Sequence, residues 1–142
     1  MIAVVIIDQL TKWLITGSFS IGESRTLIEG FLYLTYVQNQ GAAFGILQGK
    51  SIFFLICAGV VVIAMLVYNI RHPLPGLARL GMGLLAGGAL GNFIDRWRCN
   101  FVIDFLDFKW WPVFNIADSA IVCGGILLMG YLLLNKQGEV QK

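Results

Sequence analysis

Three stretches of this 142-residue chain are too long and too apolar to belong to an ordinary soluble core. Residues 51–70, 77–97 and 113–134 each supply about the 20 residues that an α-helix needs to cross a bilayer core of about 30 Å. Composition agrees: 58% of the residues are hydrophobic and 13% are charged, where a soluble domain carries about 25% charged residues. Mean hydropathy is +0.80. The chain is therefore expected to be an all-α integral membrane protein.

A fourth apolar stretch, residues 1–15, is shorter and carries Asp8 and Lys12. No basic segment precedes it and no small-residue cleavage site follows, so it reads as a first transmembrane helix and not as a cleaved signal. Only seven residues precede Asp8, a short lead for such a helix. Asp8 and Lys12 are four residues apart and share a helix face, where they can form an acid-first ion pair.

Residues 17–49 have a different texture. Gly22, Gly30, Gly41 and Gly45 mark turns, and FLYLTYV (31–37) is aromatic and β-branched without a charge, which favours strand. Open strand edges do not face hydrocarbon, so a small sheet is expected at one membrane surface. RHPLPG (71–76) contains two prolines and a glycine and should turn helix two back as helix three. Gly83, Gly87 and Gly91, with Gly88 beside them, should let helix three approach its neighbours closely.

The expected architecture is one domain, 1–142, with four transmembrane helices at about 1–15, 51–70, 77–97 and 113–134 and a small extracytoplasmic sheet between helices one and two. Arg71, His72, Arg79, Lys136 and Lys142 favour cytoplasmic placement of the second connection and of both termini. Trp97, Trp110 and Trp111 then fall where an outer aromatic belt belongs.

Several function classes drop out. The net charge of +2 comes from scattered basic residues, which argues against nucleic acid as a partner. Cys57, Cys99 and Cys123 are an odd, dispersed set without the pattern of a disulfide framework, and one histidine, His72, cannot build an imidazole zinc site. No cofactor is expected, and the chain is expected to be a monomer. Carboxylates, amides, hydroxyls, Lys and Arg remain for chemistry.

The carboxylates are conspicuous. GNFIDR (91–96), VIDFLDF (102–108) and FNIAD (114–118) place Asp95, Asp104, Asp107 and Asp118 in or beside apolar runs, where a charge costs about 2.5 to 3.5 kcal/mol at a helix centre on insertion scales. Asn92, Asp95 and Arg96 stand at i, i+3 and i+4 on one helix face, and Asn115 and Asp118 repeat the i, i+3 spacing where helix four starts. The connection between them is about a dozen residues, so all these groups should meet near the outer interface. Two carboxylates in a low-dielectric site share one proton, and such a pair can activate water and donate to a carbonyl oxygen. Each residue also has a structural use: Asp95 and Arg96 as helix-end partners, Asn115 as an N-cap, Asp107 as a solvated interfacial acid. Spacing alone does not choose between Asp104 and Asp107. Other classes fit some of these features, namely a proton-coupled transporter or channel subunit, a non-catalytic assembly protein whose acids pair helices, and a divalent-metal site built from Asp95, Asp104, Asp107 and Asp118.

Five motifs in order decide between them. DQLTKW (8–13), YVQNQGAAFG (36–45), GGALGNFIDR (87–96), VIDF (102–105) and FNIAD (114–118) make the chain resemble the bacterial lipoprotein signal peptidase family, signal peptidase II, over nearly its whole length. The resemblance implies an intramembrane aspartic endopeptidase of the bacterial cytoplasmic membrane. It would cut prolipoproteins just before a cysteine already carrying diacylglycerol. It implies Asp104 and Asp118 as the catalytic pair and Asn39, Asn92, Asp95, Arg96 and Asn115 as supporting residues. Gly41, Ala42 and Phe44 would lie beside the substrate, and Asp8 and Lys12 would tie the first helix to the site. The 17–49 region would be an outer sheet cradling the substrate.

Overall fold

The computed structural model describes residues 1–41, 49–72 and 74–140. Its elements run α1 (Ile2–Ser18), β1 (Ser24–Ile28), β2 (Leu32–Asn39), α2 (Ser51–Arg71), α3 (Gly76–Cys99), β3 (Val102–Asp107) and α4 (Ile116–Val140). Ala42, Phe44 and Gly45 lie outside the described residues.

Among the described residues, three helices are long and apolar enough to cross a membrane: Ser51–Arg71, Gly76–Cys99 and, within α4, Ile116–Leu134, with mean hydropathies of 2.7, 1.3 and 1.9. α1 has 17 residues, about 26 Å at the helical rise, and it packs against both α3 and α4. The outward surfaces suit hydrocarbon. Ile52, Ile56, Val60 and Ile63 of α2 and Val122, Ile126 and Met129 of α4 are all exposed, a surface that would be a liability in water.

α3 is the central helix, and its buried positions are mostly small: Ala78, Gly81, Ala86, Gly87, Gly88 and Gly91. The glycines serve two neighbours. A Cβ on Gly87 would stand 2.9 Å from the Met1 carbonyl and from Val4 of α1, and one on Gly91 would stand 2.6 Å from an Asp8 carboxylate oxygen. A Cβ on Gly88 would collide with the Ala117 carbonyl of α4. Close approach therefore explains the glycine spacing, as the sequence predicts. α3 ends at Asn100, whose φ of 64° is the left-handed cap conformation and whose N–H donates to Arg96 O.

The sheet is wider than the sequence predicts. Its order is β1-β2-β3, all antiparallel, with Ser24 opposite Thr35 and Val37 opposite Asp104. The third strand comes from the connection between α3 and α4, which the sequence suggests is a plain loop, and not from between helices one and two. Two aspartates lower the strand propensity of VIDFLD, but both are buried and hydrogen-bonded here, so the propensity penalty is overridden. After β3 the chain doubles back: Leu106 N–H donates to Phe114 O at 2.8 Å and Phe114 N–H to Leu106 O at 3.0 Å. Ile15, Tyr36 and Phe105 form a small core with Phe19, Ile103 and Ile116 packed on it. That core seats the sheet on the ends of α1 and α4 and carries Asp104 to the start of α4.

Candidate active site

α4 begins with a reciprocal cap. Asn115 stands at the N-cap, where its Oδ1 accepts from Asp118 N–H at 2.8 Å, and Asp118 Oδ2 accepts from Asn115 N–H at 3.3 Å. Asn115 is thus an N-cap, as its position suggests, and it has a second task. Its Nδ2 donates to Asp104 Oδ1 at 2.7 Å, so one residue touches both carboxylates.

The remaining contacts to the pair also come from amides. Asn39, at the end of β2, donates to Asp104 Oδ2 at 2.9 Å, and Asn92 of α3 donates to Asp118 Oδ1 at 2.8 Å. Every oxygen of Asp104 and Asp118 therefore accepts at least one N–H, with lone pairs left over. Asp104 is 2% exposed. Burial, and then the Asp118 charge beside it, push its carboxyl up to about 7 against the opposing pull of Asn39, Asn115 and Lys12. Near neutrality the pair holds a proton.

Both carboxylates open onto a cavity of about 600 Å³ whose lining includes Asn39, Gly41, Asn92, Arg96 and the apolar Ile121 and Val122. Arg96 donates to Gly41 O at 3.1 Å and lies 5.2 Å above the Phe54 ring, which ties the segment after β2 to α3 and α2.

Behind the cavity sits a buried charge cluster. Lys12 Nζ is 2.8 Å from Asp8 Oδ2, 2.8 Å from Asp95 Oδ2 and 3.0 Å from Asn92 Oδ1. Asp8 Oδ1 accepts from Ala117 N–H at 2.9 Å, so α1 caps the first turn of α4. Asp95 also accepts from Ile103 N–H at 3.1 Å. The acid-first pair read from spacing is present, and it is part of a network that joins α1, α3, β3 and α4. Gln9 was missed by the sequence reading; its Nε2 reaches Asp8, the Gly91 carbonyl and Asp95 Oδ1. Its spacing of three from Lys12 was the available signal.

Asp107 is elsewhere. It accepts from Thr35 Oγ1 at 2.6 Å and pairs with Lys109 Nζ at 2.7 Å. It is 5% exposed, so the expectation of a solvated acid is corrected: the β2–β3 pairing buries it. Burial alone would raise its carboxyl, but hydrogen bonds from Lys109 and Thr35 bring it below the ordinary value. With Asp95 held by Lys12 and Asp107 by Lys109, the four acids do not converge as a metal-ligand set, and among the described residues no cluster of three or more such ligands occurs.

A family model described as signal peptidase (SPase) II matches residues 1–134. The lipoprotein signal peptidase of Syntrophomonas wolfei is 58% identical over 136 residues, covering 96% of this chain and 91% of that protein. The protein of the same name from Halothermothrix orenii is 46% identical, covering 91% and 89%. A bacterial membrane enzyme solved by the in meso method at 2.3 Å superposes with a TM-score of 0.91 at 40% identity, covering 99% of this chain and 89% of that one. A second, solved at 1.9 Å, gives 0.84 at 42% identity, covering 93% and 88%. The chain belongs to the signal peptidase II family and is accordingly a bacterial membrane peptidase.

Proposed function

We propose that this protein is an intramembrane aspartic endopeptidase that removes signal peptides from diacylglyceryl-modified prolipoproteins, cutting just before the lipidated cysteine. The observation that carries this reading is the Asp104 and Asp118 pair: two carboxylates on one cavity, each held by amide N–H donors and bridged by Asn115.

The chemistry follows from one shared proton. The ionised carboxylate takes a proton from a water molecule as its oxygen attacks the scissile carbonyl carbon, and the protonated carboxyl gives its proton to the carbonyl oxygen. A tetrahedral diol forms and the pair again holds one proton. That proton passes to the peptide nitrogen, the C–N bond breaks, and a second proton returns from the diol to the pair as the new carboxyl forms. Asn39, Asn92 and Asn115 orient the acids. Arg96 and Gly41 border the same cavity, and with Ala42 and Phe44 they are assigned to the substrate side. Asp95, Asp8 and Lys12 hold the helices that carry the site.

The whole chain, 1–142, acts as one domain and as a monomer. α1 is the fourth transmembrane helix, its deficit in length offset by its seat on α3 and α4. Both termini are cytoplasmic and the sheet and cavity lie at the extracytoplasmic face, where a lipidated cysteine keeps its acyl chains in the bilayer while the scissile peptide meets water. Clustering of the acids at one end of the helices favours this reading over a proton relay, which needs acids spread through the bilayer depth.

The test is a gel-shift assay of diacylglyceryl-prolipoprotein cleavage in detergent at matched folded protein. Asp104→Asn and Asp118→Asn should each lose about 10²- to 10⁴-fold or more in rate. Near-normal cleavage by either variant removes that residue from the pair.

A further inference from the structure

Asn39 and Asn115 donate to Asp104, and Asn92 donates to Asp118. The two ends of an amide have nearly the same shape, so its N–H is directed only if its oxygen is held by a donor. Gly41 N–H holds Asn39 Oδ1 at 2.9 Å and Asp118 N–H holds Asn115 Oδ1 at 2.8 Å. Both of those holders are backbone groups. Asn92 Oδ1 has two donors: Asn115 Nδ2 at 3.1 Å, whose two hydrogens are also claimed by Asp104 Oδ1 and Ile103 O, and a charged side chain, Lys12 Nζ, at 3.0 Å, which is the fuller holder.

We infer that Lys12 is a positioning residue for the reaction, fixing the Asn92 amide so that its N–H and not its oxygen faces Asp118. This rests on the assignment of Asp104 and Asp118 as the catalytic pair. An ammonium suits the task because it has three donors and no acceptor. Two of its contacts go to Asp8 and Asp95. Those carboxylates have other donors in Ala117 N–H, Ile103 N–H and Gln9, so the contact to a neutral amide is not needed to balance them. Lys12 is 1% exposed, so that contact is shielded from bulk solvent.

A reversed Asn92 amide would set its oxygen against Asp118 Oδ1. Two acceptors share such a contact only with a proton between them, so the single proton of the pair would sit on Oδ1, held by Asn92. It would then be withheld from the substrate carbonyl, and Asp118 would lose its capacity to take a proton from water. The same reversal would set two NH₂ groups together, since Asn115 Nδ2 lies 3.1 Å from Asn92 Oδ1. Substrate binding would be untouched while the chemical step slowed.

Lys12→Met alone strands two buried carboxylates, so the test is made in an Asp8→Asn background, where it strands only Asp95, which Ile103 N–H and Gln9 still hold, and Asp8→Asn alone is the reference. Rates are compared per folded enzyme. Adding Lys12→Met should lower kcat about 10- to 100-fold and leave KM within about twofold. In the Asn92→Ala background the same change should cost less than about twofold, because the amide it acts on is gone. Lys12→Gln in both backgrounds is the second route should Lys12→Met not fold. It keeps an N–H donor, so its fall should be smaller and should again vanish with Asn92→Ala. An equal fall in both backgrounds, or a change confined to KM, overturns the inference. Asp104→Asn run alongside separates the two failures. Residual cleavage there sinks the catalytic assignment, whereas a dead Asp104→Asn beside a Lys12→Met protein at the reference rate sinks the role of Lys12 alone.

Discussion

Asp104 works against its environment, and the direction of that conflict sets a pH dependence. Burial and the Asp118 charge raise its carboxyl to about 7 from an ordinary value of 3.8, so the neutral form persists through mildly acidic and neutral pH. As pH rises through about 7 the shared proton leaves and the acid half of the proposed mechanism goes with it. The rate of prolipoprotein cleavage is thus expected to fall on the alkaline side from near pH 7, measured as kcat between about pH 5 and 9; a flat profile to pH 9 would contradict a shared-proton pair. Asp107 supplies the contrast, because its ion pair with Lys109 is half-exposed on the lysine side. Asp107→Asn should cost about 1 to 3 kcal/mol in unfolding, because its partners Thr35 and Lys109 lose a buried charged acceptor, and keep cleavage per folded enzyme within a few-fold of wild type, while Asp104→Asn is dead. Residue types and motif order made the meeting of Asp104, Asp118 and Asn115 legible in the sequence. The separation of Asp104 from Asp107 was not legible by spacing, since it depends on a strand: residues three apart on a pleat face opposite sides, one toward the cavity and one toward Thr35 and Lys109.

Among the elements, α3 is the one whose sequence pattern translates most directly into packing. Its glycines were read as a close-approach surface, and they are two such surfaces, one toward α1 and one toward α4. Gly88 is the tightest, because a Cβ there meets backbone, the Ala117 carbonyl in the first turn of α4, which cannot swing aside. Gly88→Ala should therefore destabilise by about 1 to 3 kcal/mol through overpacking and lower activity by moving the turn that carries Asp118. Gly125→Ala is the control, having open space where the Cβ would go, and should be neutral or slightly stabilising on helix propensity. Thermal melting in detergent with a cleavage assay on both proteins checks this; equal melting temperatures would show that α3 and α4 can part without cost. β3 was the element hidden from the sequence. Its aspartates signalled chemistry and masked a mostly buried strand, which only pairing with β2 makes favourable.

As a whole the molecule has an apolar exterior along the helices and a polar interior at one end, and both halves of that description can be tested through its three cysteines. Run length and hydropathy sufficed to place Cys57 and Cys123 inside membrane-crossing helices and Cys99 at the end of one. The seat of α1 beneath the site was not readable, because it depends on where Asp8 meets Ala117, 109 residues away. All three cysteines are free and exposed at the protein surface. Exposure means different things along the bilayer normal, since α2 and α4 turn their surfaces to hydrocarbon, which a charged reagent does not enter, whereas Cys99 is the last residue of α3 beside the Asn100 cap. In intact cells, single-cysteine variants treated with a membrane-impermeant charged maleimide should label at Cys99 and stay unlabelled at Cys57 and Cys123, and all three should label after unfolding in detergent. Labelling of Cys99 only in inverted vesicles would reverse the proposed orientation and move the cavity to the cytoplasmic face. Labelling of Cys57 or Cys123 at the rate of Cys99 would instead remove α2 or α4 from the hydrocarbon, and with it the reason for a carboxylate pair to keep its proton near neutrality.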